Sequence, residues 1–407
     1  MAYIGKTPAS AALTSSDISD GIITSSKIAN GGVETVDIAD ANVTAAKLAS
    51  GTVQNQSAFK NTIINGDMSI AQRATSLTGI TGSGYKTLDR YQPIIDNVGT
   101  WTQSQSTDVP TGQGFAKSFK FDCTTAKSSL ASTNYMINQQ RIESQNLQYL
   151  KKGTSSAEST TLSFWVKATK TGTNICEIRD VANNRTINKS YTISNSNTWE
   201  KKIITFAGDT SGALPNTNGS GLYCSFWLAA GSNFTSGTLQ TSWGSRVAAN
   251  RAVGQVNHAD STSNDWYVTG IQMEAGTSAS DFEFLPVDVN TTRCFRYYQK
   301  TFEYSQAPVD NAQKFEYHFI EPYGGTSISG LISYYSVEMR ATPTVTVYTS
   351  GQSANGTGKI SFYQGSAWLN AAVTVQSGST TKSVHLTGGS LSNIVLAQFN
   401  YEASAEL

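Results

Sequence analysis

Residues 17–53 repeat with a period of ten, as DISDGIITSS, KIANGGVETV, DIADANVTAA and KLASGTV in succession. Ile18, Ile28, Ile38 and Leu48 share one position of the unit, and Ile23, Val33, Val43 and Val53 share another. Asp17, Lys27, Asp37 and Lys47 alternate in sign at a third. Apolar residues five apart fall on opposite faces of a flat strand and on no single face of an α-helix. The chain must therefore turn within each unit, and the pairs Asp20-Gly21 and Asn30-Gly31 supply that turn. Two apolar side chains per unit, at ~1.5–3 kcal/mol each, do not offset ~1 kcal/mol or more of backbone entropy at every position. Such a segment is ordered by association, with parallel chains burying their apolar rows against one another. The expectation is a self-associating shaft over residues 15–60 rather than a disordered linker. Residues 1–14, with Tyr3, Ile4, Leu13 and the single charge of Lys6, form either an anchoring segment or a frayed end.

After Phe59 the character changes. Short alternating apolar runs are bounded by Gly, Asn and Thr, and Pro is held to 8 residues, which favours strands joined by tight turns. Thr161–Ala168, Trp199–Phe206, Leu222–Ala229 and Trp266–Met273 read as strands of a sandwich or jelly roll. Residues 299–407 add a second set, including Lys314–Ile320, Ile328–Tyr335, Thr344–Tyr348, Lys359–Tyr363 and Ile394–Tyr401. The fold class expected is all-β. Cys123, Cys176, Cys224 and Cys294 are widely spaced without a C-x-x-C pair, so buried free thiols are expected in place of a disulfide framework or a metal site.

Several ordered motifs carry a resemblance. Asn65-Gly-Asp-Met-Ser-Ile-Ala-Gln-Arg73 followed by Tyr85-Lys-Thr-Leu-Asp-Arg-Tyr91 resembles the opening of a domain found in phage tail-fibre and related virion proteins. Ser163–Gly172, Trp199-Glu-Lys-Lys202, Gly270–Gly276, Asp281–Pro286 and Cys294–Tyr298 are similar to its middle and closing stretches, although Tyr91 and Leu285 stand where Trp and Arg are commoner. Met339–Val347 and Tyr401–Leu407 resemble the end of many fibre proteins. The resemblance implies a jelly roll shaped like a carbohydrate-binding module over residues 61–290 and a small β-sandwich tip over 291–407. It also implies a virion-anchoring segment at 1–14, a homotrimer, docking on other virion proteins through the N-terminus, and contact with host-surface polysaccharide. The expected location is the virion, on a tail fibre rather than the head, after synthesis in the bacterial cytoplasm without a cleaved secretory signal. A purely architectural capsid or tail decoration is the alternative, and a polysaccharide depolymerase a more distant one.

Trp is the natural platform for a sugar ring, which makes Trp101, Trp199 and Trp243 candidate glycan contacts, while Trp165, Trp227 and Trp266 sit in apolar strands and are expected in the core. No catalytic, cofactor-binding or metal-ligating residue is assigned. The three histidines are scattered, and no G-x-S-x-G, H-E-x-x-H or Walker pattern has its required flanking structure. Zero formal net charge with only 14% charged residues provides no basic stripe for nucleic acid, and no apolar run approaches a membrane span.

Overall fold

A computed structural model describes residue 28 and residues 59–310, 312, 316–319, 327–349, 356–364, 366–390 and 394–407. The chain divides into two compact units, Met1–Ser57 and Ala58–Leu407, and the described residues belong almost wholly to the second. The expected anchoring segment lies outside them, as do the shaft positions Ile18, Ile23, Val33, Ile38, Val43, Leu48 and Val53. Ile28 is described singly and is exposed.

The second unit is all-β. Its first twelve strands are β1 (Ser76–Ile80), β2 (Gln92–Asp96), β3 (Thr100–Ser106), β4 (Ser118–Thr125), β5 (Tyr135–Glu143), β6 (Thr160–Ala168), β7 (Gly172–Asp180), β8 (Arg185–Ile193), β9 (Glu200–Phe206), β10 (Ser220–Ala230), β11 (Gly244–Ser245) and β12 (Asp265–Ala275). They pair antiparallel in two six-stranded sheets, ordered β1-β3-β4-β12-β6-β9 and β11-β8-β7-β10-β5-β2. The chain passes repeatedly from one sheet to the other, as in a jelly roll. Period-two alternation fixes what each strand buries. On β6, Leu162, Phe164, Val166 and Ala168 point into the core; on β10, Leu222, Cys224 and Phe226 meet them from the opposite sheet. Phe226 lies edge-on to Phe164 at 5.0 Å and also contacts Trp266 at 5.8 Å between ring centroids. Burying each such aromatic side chain contributes about 1.5–3 kcal/mol. The four cysteines are buried with free thiols.

The Asn-Gly-Asp motif ties the ends of this sandwich together. Asn65, at φ +59°, donates from Nδ2 to the carbonyls of Ile70 and Asp89 and accepts the Ile70 amide at 2.9 Å. Gly66 is required by space, since a Cβ there would lie 2.1 Å from the Ile271 carbonyl oxygen. Asn290, on helix α2 (Val287–Phe295), accepts the Asn65 amide and donates to Asp67 at 3.1 Å; the earlier α1 (Ser232–Thr235) is a single turn. The expected division at 290/291 thus falls inside a helix that docks on the sandwich's opening loop.

Beyond α2 come β13 (Tyr298–Lys300), β14 (Glu316–Phe319), β15 (Ser327–Tyr334), β16 (Thr344–Thr349), β17 (Lys359–Gln364), β18 (Ala367–Val375), β19 (Ser383–Ser390) and β20 (Ile394–Ser404). They form one eight-stranded sheet that curls through β18, which pairs with both β17 and β19, consistent with the expected small β-sandwich. Val347, Ile360, Phe362, Leu386, Phe399 and Tyr401 fill its core. Strand β20 is its spine, pairing with β13, β14, β16 and β17. Residues after β20 reach back to the sandwich. Glu406 bridges Arg73 (3.2 Å) and the fully buried Arg90, whose guanidinium lies on the Tyr297 ring.

Candidate functional site

The tryptophans named from the sequence are not gathered into one platform. Trp101 is fully buried between β1 and β4, its indole N–H donating to the Val98 carbonyl at 2.6 Å, so it cannot receive a sugar ring. Its register opposite Cys123 places it on the core face of β3. Trp199 and Trp243 are both half-buried, but they stand at opposite ends of β9. Trp199 precedes that strand and Trp243 donates to the Ala207 carbonyl just beyond it, about 26 Å along the strand at ~3.3 Å per residue. Trp227 and Trp266 are buried as expected. Trp165 is not, because its neighbours Phe164 and Val166 take the inward positions and leave it half-buried on the outer face of the first sheet.

Around Tyr267 the outer face of the first sheet is a closed electrostatic account. Lys167 pairs with Asp108, and its ammonium sits 4.3 Å from the Tyr267 ring. Trp199 donates to the same Asp108 at 2.9 Å. Burial pushes the Asp108 carboxyl up, but the hydrogen bonds from Lys167 and Trp199 outweigh it and hold the group below the usual carboxylate range. Lys120 lies 3.5 Å from Asp122 and 3.6 Å from Asp265.

The outer face of the second sheet differs. Register sets Arg141 of β5, Tyr223 of β10 and Arg179 of β7 side by side in one row, with Gln139, Ser225 and Glu177 in the next. Their inward neighbours, among them Ile142, Cys224 and Ile178, belong to the main core, so this row faces outward. Farther along, Ile137, Ile175 and Trp227 are roofed by Phe234, Leu239 and Ala252 from the connection after β10. Among the described residues, the row around Tyr223 has no such apolar roof. Tyr223 is half-buried, with the Arg141 guanidinium 4.8 Å and the Arg179 guanidinium 5.8 Å from its ring centroid.

The fully buried carboxylate of this face is fully engaged, and Glu143, on the same face, is taken by Arg296. Glu177, with no exposed surface, accepts both prongs of Arg251 (2.9 and 2.8 Å), the indole N–H of Trp227 (3.1 Å) and the Thr186 hydroxyl (3.0 Å). Arg141 donates to the Leu407 carbonyl oxygen at 2.5 Å. Arg179 and Arg246 are left over. Among the described residues neither guanidinium has an acceptor or an ion-pair partner, and the Nε of each is sheltered from solvent. Burial, reinforced by the like charges of Arg251 and Arg179, pulls the Arg246 pKa below its ordinary value. A half-buried aromatic ring flanked by spare planar donors can stack a ring and hydrogen-bond oxygens around its rim.

A recess of about 530 Å³ is also lined by Arg141, together with Arg90, Arg293, Arg296 and Tyr149. Its other arginines already have partners: Arg90 in Glu406, Arg293 in the Asn61 carbonyl, and Arg296 in a two-pronged pair with Glu143 at 2.7 and 2.9 Å. These contacts hold α2 and the residues after β20 on the sandwich.

Fold and site together define an all-β two-sheet sandwich with one open, cation-rich outer face. No family model matches the chain, and no curated protein matches it. Similar solved structures include the enzymatically active domain of tailspike protein 4 of bacteriophage CBA120, at 13% identity and a TM-score of 0.27 over 53% of this chain and 21% of that one. A protein of Bacteroides thetaiotaomicron VPI-5482 described as sugar-binding is similar at 10% identity and TM-score 0.28, over 53% of this chain and 99% of its own. The family 11 carbohydrate-binding module of Clostridium thermocellum, solved with a mixed-linked tetrasaccharide, is similar at 10% identity and TM-score 0.24, over 52% and 99%. Likeness this loose leaves the site to be read from its own geometry.

Proposed function

We propose that the chain is a structural protein of a phage virion, a homotrimeric tail fibre attached through its N-terminus that contacts host-surface glycan through its β domains. The ten-residue repeat supports the self-associating shaft, since two apolar residues per ten cannot offset the ordering of the segment within one chain. The ordered motifs from Asn65 to Tyr298 support the virion setting. The glycan contact rests on one observation, Tyr223 on the outer face of the second sheet, unroofed among the described residues and flanked by Arg141 and by Arg179, whose guanidinium has no acceptor among them. The same reading has the chain bind polysaccharide without cleaving it.

Glycan-array binding of the full-length protein and of Tyr223→Ala tests the contact. Loss of the ring should weaken binding about tenfold or more, the scale of a lost aromatic platform with its flanking donors. Equal binding by the variant, or no glycan bound at all, would remove the receptor role and leave the architectural reading. Light scattering tests the assembly, with a mass three times the 43.5 kDa chain expected for the fibre. Release of reducing sugar from a bound polysaccharide would overturn the non-enzymatic reading.

A further inference from the structure

Building on the glycan reading above, we infer that the outer face of the second sheet selects an acidic sugar, with the anionic group between Arg179 and Arg246 and the ring against Tyr223. Arg141 and Arg179 flank Tyr223 in this row, Arg251 lies beside it and Arg246 follows β11 at the edge of the sheet, while of the carboxylates on this face Glu177 is taken by Arg251 and Glu143 by Arg296. Arg251 and Trp227 occupy both oxygens of Glu177, and the Leu407 carbonyl holds Arg141. The two remaining cations are both half-buried, and burial, with the like charges of Arg251 and Arg179 added, holds the Arg246 pKa below its ordinary value. A neutral sugar would satisfy donors here but leave that repulsion in place. An anionic group relieves it, and the planar fork of a guanidinium matches a carboxylate or a phosphate with two parallel hydrogen bonds. The first sheet offers the contrast around Tyr267, where Lys120 and Lys167 each reach a carboxylate, while the exposed Lys201 farther out on β9 has no ion-pair partner among the described residues.

Isothermal titration and saturation-transfer NMR on the full-length protein decide this. The probes are glucuronate, galacturonate and N-acetylneuraminate for the carboxylate, glucose 6-phosphate for the phosphate, and glucose and galactose as neutral partners. At least one acid should bind about tenfold or more tighter than its neutral counterpart, as expected for charge-assisted hydrogen bonds. The acid that wins identifies carboxylate or phosphate as the anion. The preference should disappear in Arg179→Ala and Arg246→Ala, persist in part in Arg179→Lys, and shrink as salt screens the site. Acid and neutral sugars bound equally, with loss of both in Tyr223→Ala, would refute the acidic preference and keep the glycan reading. A preference that survives both arginine variants would place the anion elsewhere and also refute it. No probe bound at all would sink both readings together.

Discussion

On the outer face of the first sheet, Lys167 and Lys120 each meet a carboxylate; on that of the second, Arg179 and Arg246 meet none among the described residues. Both faces belong to one sandwich, share a core and carry an aromatic residue in the central row. The difference is whether the protein spends its own acids on its cations. A fold selected only for stability closes such pairs, because an unpartnered half-buried charge costs more than a paired one. On the reading proposed above, the open account on the second sheet belongs to a face that meets something outside the chain, whereas the cations around Tyr267 serve the fold.

Four measurements break or sharpen that contrast. The largest effect belongs to the buried pair under the open face. Glu177→Ala leaves Arg251 buried and alone and should cost about 3–5 kcal/mol in chemical denaturation. A loss below about 1 kcal/mol would mean that Glu177 does not separate the structural from the spare charges. Next comes acid. His258 is fully buried, its Nε2 hydrogen-bonded to Asn174 at 2.7 Å, and burial lowers its pKa to about 4 from 6.5. The folded state resists protonation that the unfolded chain accepts, so stability is full above pH 6.5 and falls as the pH drops toward 4, by about 3 kcal/mol. His258→Gln should flatten that limb of the stability profile, and an unchanged profile would assign the loss to other groups. On the closed face, Lys167→Ala should cost only about 1 kcal/mol or less, because Asp108 is partly in water, and should leave glycan binding untouched. Arg179→Ala should have the smallest effect on stability, within about 1 kcal/mol and in the stabilising direction, since it removes a like charge from Arg246. A clear destabilisation would show that Arg179 supports the sandwich itself.

Much of the fold was legible because strands write their burial in a period of two. Thr161–Ala168 and Leu222–Ala229 were readable to within two residues at each end, and the all-β class followed from them. The same alternation could have corrected Trp165, whose inward neighbours Phe164 and Val166 force it outward. Trp101 was misread because β3 is otherwise polar, and only its pairing with the strand of Phe121 and Cys123 reveals which side is buried. The candidate site was not legible at all. Arg141, Arg179 and Tyr223 lie in three separate strands, and only their register makes them neighbours. Arg246 joins them from a connection whose path the sequence does not declare. A hint existed in Glu177-Ile-Arg179 and Leu222-Tyr-Cys224, where polar residues take the outward positions of apolar strands, but one such strand does not identify its partners.

The tether at Glu406 has a consequence for how the protein is made. Arg90 is translated early and becomes buried in the sandwich, yet its counter-charge comes from a residue more than three hundred positions later. Arg141, beside the open face, is held by Leu407. The ion pair that neutralises the buried Arg90 can form only once both ends of this separation are present. Contacts of such long sequence separation form slowly and expose incomplete chains to aggregation and proteolysis. A chain lacking Glu406 would hold the buried Arg90 without its counter-charge and should be markedly less stable than one that keeps it.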